Sequence, residues 1–243
     1  MSLGLSLQLS LNQRQKIGDF SPSNISNLAA WYDASDASTI NTAGNLVNQW
    51  DDKSGNNNHV IASGGDRPSS GTRTLNSLNV IDANGSNMLS TTGVVMSPNF
   101  SIFIVAVVDT VNNAQDSLLA MDDVNDFQID AGNASQFRFR FNQSGLGTNG
   151  GPGASAVAGP DIYAVLADGA GGNLDLEYGQ ASHDSDTGFT ATLTTPQTIR
   201  LFTNRAGSQD LDGAIGEILI YSKLVSSSEK ANIYNYLSTK WGV

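Results

Sequence analysis

Three polar side chains alternate with leucines at Asn173, Asp175 and Glu177, and this stretch is the clearest catalytic candidate in the sequence. Successive side chains of a strand point to opposite faces, so all three would project on one side. Glycoside hydrolysis needs two carboxylates, because one attacks or stabilises the sugar while the other protonates the leaving oxygen. Any half-buried strand shows the same alternation, so a structural role fits equally well.

A second group of oxygen donors lies in and beside an acidic turn that precedes a predicted hairpin. Such donors suit a hard cation, but the EF-hand spacing and its central glycine are missing. The favoured interpretation is an acidic turn, with a Ca²⁺ site as the alternative, and no other cofactor is expected. The candidate ligands are Asp122, Asp123, Asp126 and Asp130.

Two further Asp-rich turns, at Asp33 to Asp36 and at Asp51 to Asp52, would surround an ion if they adjoin. Capping of the turns by their own side chains explains these residues as well. The histidines, His59 and His183, are too few for a typical zinc site in a chain without cysteine. We predict a structural role for His59.

The composition argues against several function classes. The 243 residues carry a formal net charge of -11. Nucleic acids and anionic membrane surfaces are bound by clustered Lys and Arg, so neither is an expected partner. No apolar run is long enough to span a bilayer, and the first residues lack the pattern of a secretory signal, so a conventional secreted precursor is not expected.

The elements that would position these side chains are mostly strands. Short apolar segments separated by Gly, Asn and Ser turns recur along the chain, which predicts antiparallel sheets packed as a sandwich. The clearest hairpin joins Phe127–Asp130 to Gln136–Asn142, where phenylalanines alternate with arginines. A strand is also predicted at Thr190–Thr194.

Only the C-terminal end has a sequence pattern that predicts a helix. Ser226 and Glu229 fit a capping box, and Gly242 suits the C-terminal cap. The apolar stripe of this helix should pack on the sandwich. Its predicted members are Ala231, Tyr234, Leu237 and Trp241.

Two segments stand apart from the predicted strands of the compact domain, which we place at 27–243. Residues 1–26 are predicted to be an arm and linker, whose alternating leucines form either an edge strand or a contact with a neighbouring subunit. Residues 142–159 are predicted to be a long loop that could bind a ligand. The arm leucines are Leu3, Leu5, Leu7, Leu9 and Leu11, and the candidate ligand residues are Asn142, Ser144 and Asn149.

An ordered set of motifs runs from Trp31 to the end of the chain. The motifs are Trp31–Asp36, Trp50–Asn56 with His59, Arg67–Pro68, Asp212–Ile218 with Tyr221, and Tyr236–Leu237 with Trp241–Gly242. This set resembles the laminin-G-like jelly-roll branch of the concanavalin A-like lectin/glucanase superfamily. The resemblance implies a jelly roll of two packed sheets, and functions in that family range over glycan binding, adhesion and virion assembly. Trp31, Trp50 and Trp241 fall in these motifs, so we favour core packing over sugar stacking for them.

The resemblance also bears on function. Glucanases of this superfamily begin and end their acidic triplet with Glu, whereas Asn173 cannot be a carboxylate nucleophile. We therefore predict a non-enzymatic phage structural protein, a capsid decoration or tail-associated subunit on the virion surface, assembled in the host cytoplasm. Its partners would be other virion proteins or copies of itself, bound through the arm. The alternative is an extracellular or cell-surface module that binds carbohydrate, with surface glycans as partners.

Overall fold

The computed structural model describes residues 20–109, 116–121, 127–133, 136–140, 158–190, 193, 196–208 and 210–243. Within these ranges the chain forms strands and one C-terminal α-helix, linked by turns and short 3-10 helices. No helix in the described part is long and apolar enough to cross a membrane. The elements are β1 (Leu28–Asp33), β2 (Ile40–Ala43), β3 (Leu46–Trp50), β4 (Val60–Ile61), β5 (Ser69–Leu75), β6 (Leu78–Asn84), β7 (Leu89–Val94), β8 (Asn99–Val108), β9 (Ser117–Met121), β10 (Gln128–Asn133), β11 (Gln136–Arg140), β12 (Gly159–Asp168), β13 (Asn173–Tyr178), β14 (Ala181–Asp186), β15 (Gln197–Leu201), β16 (Asp212–Tyr221) and α1 (Ser227–Trp241).

The strands form an antiparallel jelly-roll β-sandwich, as predicted. One hydrogen-bonded path runs β11-β10-β9-β15-β7-β4-β3-β5-β6-β16-β8-β12-β13-β14, with β1 added to β16 and β2 to β3. The path folds over so that its two halves pack face to face. The Phe100 and Phe127 rings lie 5.5 Å apart, and those of Phe137 and Tyr163 lie 5.2 Å apart. The predicted hairpin is present as β10 and β11.

The centre of one sheet is buried on both sides. Strands β8 and β16 are buried along almost their whole length, because one face meets the opposite sheet and the other lies beneath α1. Tyr234 of α1 packs edge-on against Phe103 of β8, with ring centroids 5.5 Å apart. This double cover explains why β8 is a continuous apolar run rather than an alternating one.

The helix begins and ends as predicted. The Glu229 N–H donates to the Ser226 hydroxyl, the Glu229 side chain accepts the Ser226 N–H, and Gly242 caps the C-terminus at φ 72°. The predicted stripe was wrong at one position, since Ala231 is exposed and Ile233 is buried instead. Ala231 lies beyond the edge of the buried face, which consists of Ile233, Tyr234, Leu237 and Trp241.

Other differences from the prediction concern polar segments. β2, β5, β7 and β14 contain few apolar residues and were not predicted. Conversely, Thr190 and Leu193 of the strand predicted at Thr190–Thr194 are not in a strand. In the predicted linker, the Phe20 ring lies 5.7 Å from that of Tyr236 in α1.

Candidate functional site

The two Asp-rich turns near the start of the sandwich do adjoin, because Lys53, which directly follows Asp51 and Asp52, pairs with both carboxylates of the other turn. Lys53 Nζ is 2.9 Å from Asp33 Oδ2 and 2.8 Å from Asp36 Oδ2. Hydrogen bonds from Lys53 and then Ser38 lower the pKa of Asp36 to about 2. The positive charge held by these carboxylates is therefore the chain's own.

Asp52 organises the turn that follows β3. Its carboxylate accepts the backbone N–H groups of Trp31 at 2.9 Å, Ser54 at 2.8 Å and Asn58 at 3.0 Å. The Nδ1 atom of His59 accepts the Asp52 N–H at 3.1 Å, which agrees with the structural role predicted for this histidine. This stretch ties β1 to the loop after β3 and is part of the framework.

A fully buried carboxylate, Glu217, joins β1 and β16 to α1. It accepts the indole N–H groups of Trp31 and Trp241, each at 2.7 Å. It also accepts the Tyr236 hydroxyl at 2.9 Å and pairs with Lys240 Nζ at 2.7 Å. Four donors on two elements therefore converge on one side chain.

The three tryptophans belong to this framework, as predicted. Trp50 and Trp241 are fully buried. Trp31 is partly buried, and Lys53 Nζ lies 4.5 Å from the centre of its ring. Core packing and cation–π contact are therefore what these rings provide.

The second carboxylate of the alternating stretch, Glu177, is covered by α1. Its side chain is only 4% exposed. It accepts the Tyr234 hydroxyl at 2.5 Å and pairs with Lys230 Nζ. Burial raises the pKa of Asp175, and the adjacent Glu177 carboxylate adds to the rise. Glu177 is thus committed to holding the helix.

An open groove of about 460 Å³ lies between β12–β14 and the start of α1. This volume is within the range of about 300–1,000 Å³ that is typical of ligand sites. Leu224, which is 38% exposed, forms part of its apolar surface. The polar lining comprises Asp168, Asn173, Asp175, Ser182, Ser185, Asp186, Thr187, Ser227 and Lys230.

Strand register and tight turns position this lining. Asp175 pairs with Ser185 across β13 and β14, and its carboxylate accepts the Ser182 hydroxyl at 2.5 Å. Asp168 and Asp186 each use one oxygen to hold a turn, by accepting the N–H groups of glycines 171 and 188 at 2.8 and 2.7 Å. An ionised carboxylate has about four acceptor positions, so each side chain keeps capacity for a ligand.

The groove is acidic. It contains three aspartates, whereas its described cation, Lys230, is paired with Glu177. The N-terminus of α1 does not compensate, because the Glu229 carboxylate already accepts the Ser226 N–H at 2.8 Å. An anion entering the groove would therefore meet like charge.

A second groove, of about 400 Å³, borders the turn after β3. Val95 is 58% exposed there. However, the amides of Asn56 and Asn58 donate to the backbone oxygens of Leu28 and Ala29 at 2.8 and 2.9 Å. Because these amides already donate to β1, they are less available to a ligand than the polar side chains of the acidic groove.

The sequence identified only Asn173 and Asp175 among the residues of the acidic groove. Ser182, Ser185 and Asp186 lie on a strand without apolar alternation, and Lys230 is brought there by docking of the helix. No local signal marks these residues. Their common position depends on the pairing of β12, β13 and β14.

Of the other predicted site residues, Asp130 lies in the described part of the chain and is not part of this groove. Asp130 is fully buried and its carboxylate accepts Arg138 at 2.8 Å and Ser117 at 3.1 Å. In the part of the chain that the structure describes, no group of three or more His, Cys, Asp or Glu residues is placed to hold a metal ion. The predicted residues outside the described part are Leu3, Leu5, Leu7, Leu9, Leu11, Asp122, Asp123, Asp126, Asn142, Ser144 and Asn149.

Comparison with known proteins identifies the fold. No protein-family model and no curated protein matches the chain. Among solved structures, domain 4 of AbnA, a GH43 extracellular arabinanase from Geobacillus stearothermophilus in complex with arabinotriose, has a TM-score of 0.59 at 15% identity, over 84% of this chain and 96% of that one.

Two further structures are similar over parts of larger proteins. The binding domain of Paraclostridial Mosquitocidal Protein 1 has a TM-score of 0.59 at 12% identity, over 90% of this chain and 53% of that one. Trypanosoma rangeli sialidase in complex with 2,3-difluorosialic acid has a TM-score of 0.56 at 12% identity, over 88% of this chain and 33% of that one. At these identities the likeness shows a shared β-sandwich fold.

Proposed function

We propose that this chain is a non-catalytic carbohydrate-binding β-sandwich module whose glycan site is the acidic groove between β12–β14 and α1. The lining of that groove carries the proposal. Carboxylates, an amide and hydroxyls lie beside the exposed Leu224. Sugar hydroxyls form charge-assisted hydrogen bonds with carboxylates, while aliphatic surface can pack against the C–H groups of a sugar ring.

The comparisons support this proposal without deciding it. Domain 4 of AbnA was solved in complex with arabinotriose. A fold hosts many functions, so the argument depends on the groove and not on the likeness. A carbohydrate-binding module of this kind would work at a cell surface or outside the cell.

The non-catalytic part of the proposal rests on the alternating stretch. Asn173 carries no carboxylate, and Glu177 is buried under α1 with Tyr234 and Lys230 as partners. A glycosidase needs two carboxylates that face the scissile bond, and this stretch offers the groove only Asp175. The other two aspartates of the lining, Asp168 and Asp186, each hold a turn by accepting a glycine N–H. We therefore expect no release of reducing sugar from any glycan that binds. Release of sugar by the wild-type protein that is lost in the Asp175→Asn variant would contradict this expectation.

Glycan-array binding followed by calorimetric titration tests the glycan site. The double variant Asn173→Ala/Ser185→Ala should bind its best glycan about thirtyfold more weakly, because each of the two lost hydrogen bonds contributes about 1 kcal/mol. The matched control is Asn45→Ala/Ser86→Ala, since both residues are exposed and lie outside the groove. An array without binding, or equal affinity in the groove variant and the wild type, would refute the assignment.

A virion role is the second proposal, and the alternating leucines at residues 3–11 favour it. In this case the chain is a capsid decoration or tail-associated subunit that binds virion proteins or its own copies through the arm. Deleting residues 1–16 should then abolish attachment to the particle without lowering the melting temperature of the sandwich. Attachment that survives the deletion would contradict this proposal.

A further inference from the structure

The acidic groove has a charge pattern that would select among glycans. Asp168, Asp175 and Asp186 all line it, although the strands and turns that hold them are different. Hydrogen bonds from Gly171, Ser182 and Gly188 fix these carboxylates in place. They are therefore positioned by the fold and do not depend on a ligand for their orientation.

The one cation among the described residues of the lining does not offset these charges. Lys230 Nζ is paired with Glu177, whose side chain is only 4% exposed and cannot turn toward solvent without leaving the interface with α1. The first turn of α1 is already compensated by Glu229. The groove thus keeps an unbalanced negative charge.

Neutral and acidic sugars differ in how they would meet this charge. A hydroxyl can donate to each carboxylate, and such charge-assisted bonds are stronger than neutral ones. A carboxylate, sulfate or sialic acid group would instead be repelled. Charges closer together than the Debye length, about 8 Å at physiological salt, are only partly screened, so salt would weaken this repulsion without removing it.

We infer that the groove selects uncharged, hydroxyl-rich glycans and discriminates against glycans that carry uronic acid, sialic acid or sulfate. This inference rests on the proposed function, because it names the ligand class of that same site. It concerns the ratio of the affinities for neutral and acidic glycans, and not whether the groove binds glycans at all.

Matched pairs of oligosaccharides test the selection. Galactose oligomers are compared with galacturonic acid oligomers of equal length, and lactose with sialyllactose, by calorimetric titration at about 0.15 M salt. The neutral member of a pair should bind at least tenfold more tightly. In the variant Asp168→Asn/Asp186→Asn, which keeps both turn acceptors, the ratio should fall toward one.

The matched control is Asp184→Asn. Asp184 lies on the same strand as Asp186 but is not part of the lining, so this change alters net charge without altering the groove. The ratio should stay at the wild-type value, and equal melting temperatures for all variants would confirm folding.

The experiment distinguishes a failure of charge selection from a failure of glycan binding. Equal binding of both members of a pair, an unchanged ratio in the groove variant, or an equal fall in the control would each overturn charge selection and leave glycan binding in place. The absence of binding to every neutral and acidic oligosaccharide would instead overturn the proposed function.

Discussion

At the scale of single residues, Glu217 shows how a buried charge is made tolerable. An unpaired carboxylate in a protein interior is strongly destabilising, but four donors from two elements satisfy this one. Burial acts to raise the pKa of Glu217, and Lys240 opposes that rise. The network therefore depends on all of its members being present.

Replacing Glu217 with alanine should lower the free energy of unfolding by about 3–5 kcal/mol, because Lys240 and both indoles lose a buried partner. Urea denaturation measures the change. Asp66→Ala is the matched control, since Asp66 is exposed, and its effect should stay within about 0.5 kcal/mol. Equal stability of the two variants would show that the network is energetically neutral.

Asp116 is the opposite case, a buried carboxylate without a compensating cation in its described surroundings. It is 2% exposed, and its Oδ2 atom has no hydrogen-bond partner. Burial raises its pKa from 3.8 to about 6, and the charges of Asp212 and Asp130 add to the rise. The folded state therefore holds a proton here that the unfolded chain would release.

This shift predicts a pH dependence with a defined sign. Because the pKa is raised on folding, the contribution of Asp116 to stability is fully present below pH 3.8 and is lost as pH rises through about 6. Asp116→Asn should remove this dependence and raise the free energy of unfolding at pH 7 by on the order of 2 kcal/mol. Urea denaturation of both proteins from pH 4 to pH 8 measures the difference. Parallel curves would contradict the assignment.

At the scale of elements, the docking of α1 depends on a glycine in β16. A Cβ atom at Gly216 would lie 2.9 Å from the Trp241 ring, which is fully buried and donates to Glu217. The ring can pack this closely only because the strand carries no side chain at that point.

Gly216→Ala should therefore push the end of α1 from the sheet and cost about 1–3 kcal/mol, as overpacking does in other cores. Thermal unfolding and tryptophan fluorescence would show the lower stability and the displaced ring. Gly65→Ala is the control, because a Cβ there meets nothing within 4 Å. Equal melting temperatures in the two variants would mean that the ring is not confined by the strand.

The elements also show what the sequence could and could not predict. The bounds of β3 and β9 follow from their apolar residues alone, and the capping box locates the start of α1. β14 is different, because Ala181–Asp186 has no apolar pattern and becomes a strand by pairing with β13. The acidic groove was missed for the same reason, since three of its polar residues, Ser182, Ser185 and Asp186, lie on that strand.

At the scale of the whole molecule, the ordered motifs predicted the jelly roll, but they did not rank its functions. Trp31, Asp52 and Glu217 lie in those motifs, and all three are used to hold the fold together. These residues therefore identify the fold but give no information about ligands. At 12–15% identity the structural comparisons show the shared β-sandwich and leave these functions unranked as well.

The net charge of -11 makes a prediction for the molecule as a whole. Polyanions are bound through clustered Lys and Arg, so the protein should not be retained on immobilised heparin or duplex DNA at about 0.15 M salt. Column chromatography measures this directly. Retention that weakens with added salt would reveal a basic surface and would contradict the charge argument.

The pairing of β1 with β16 has a consequence for how the protein is made. Leu28 lies opposite Tyr221, and Lys240 of α1 reaches back to Asp33. During translation β1 therefore stays unpaired until β16, which ends at Tyr221, has left the ribosome. Folding dominated by such distant pairings is slow, and unpaired edges are prone to aggregate. We therefore expect chaperones to hold the nascent chain, and a premature stop before β16 to yield only insoluble product.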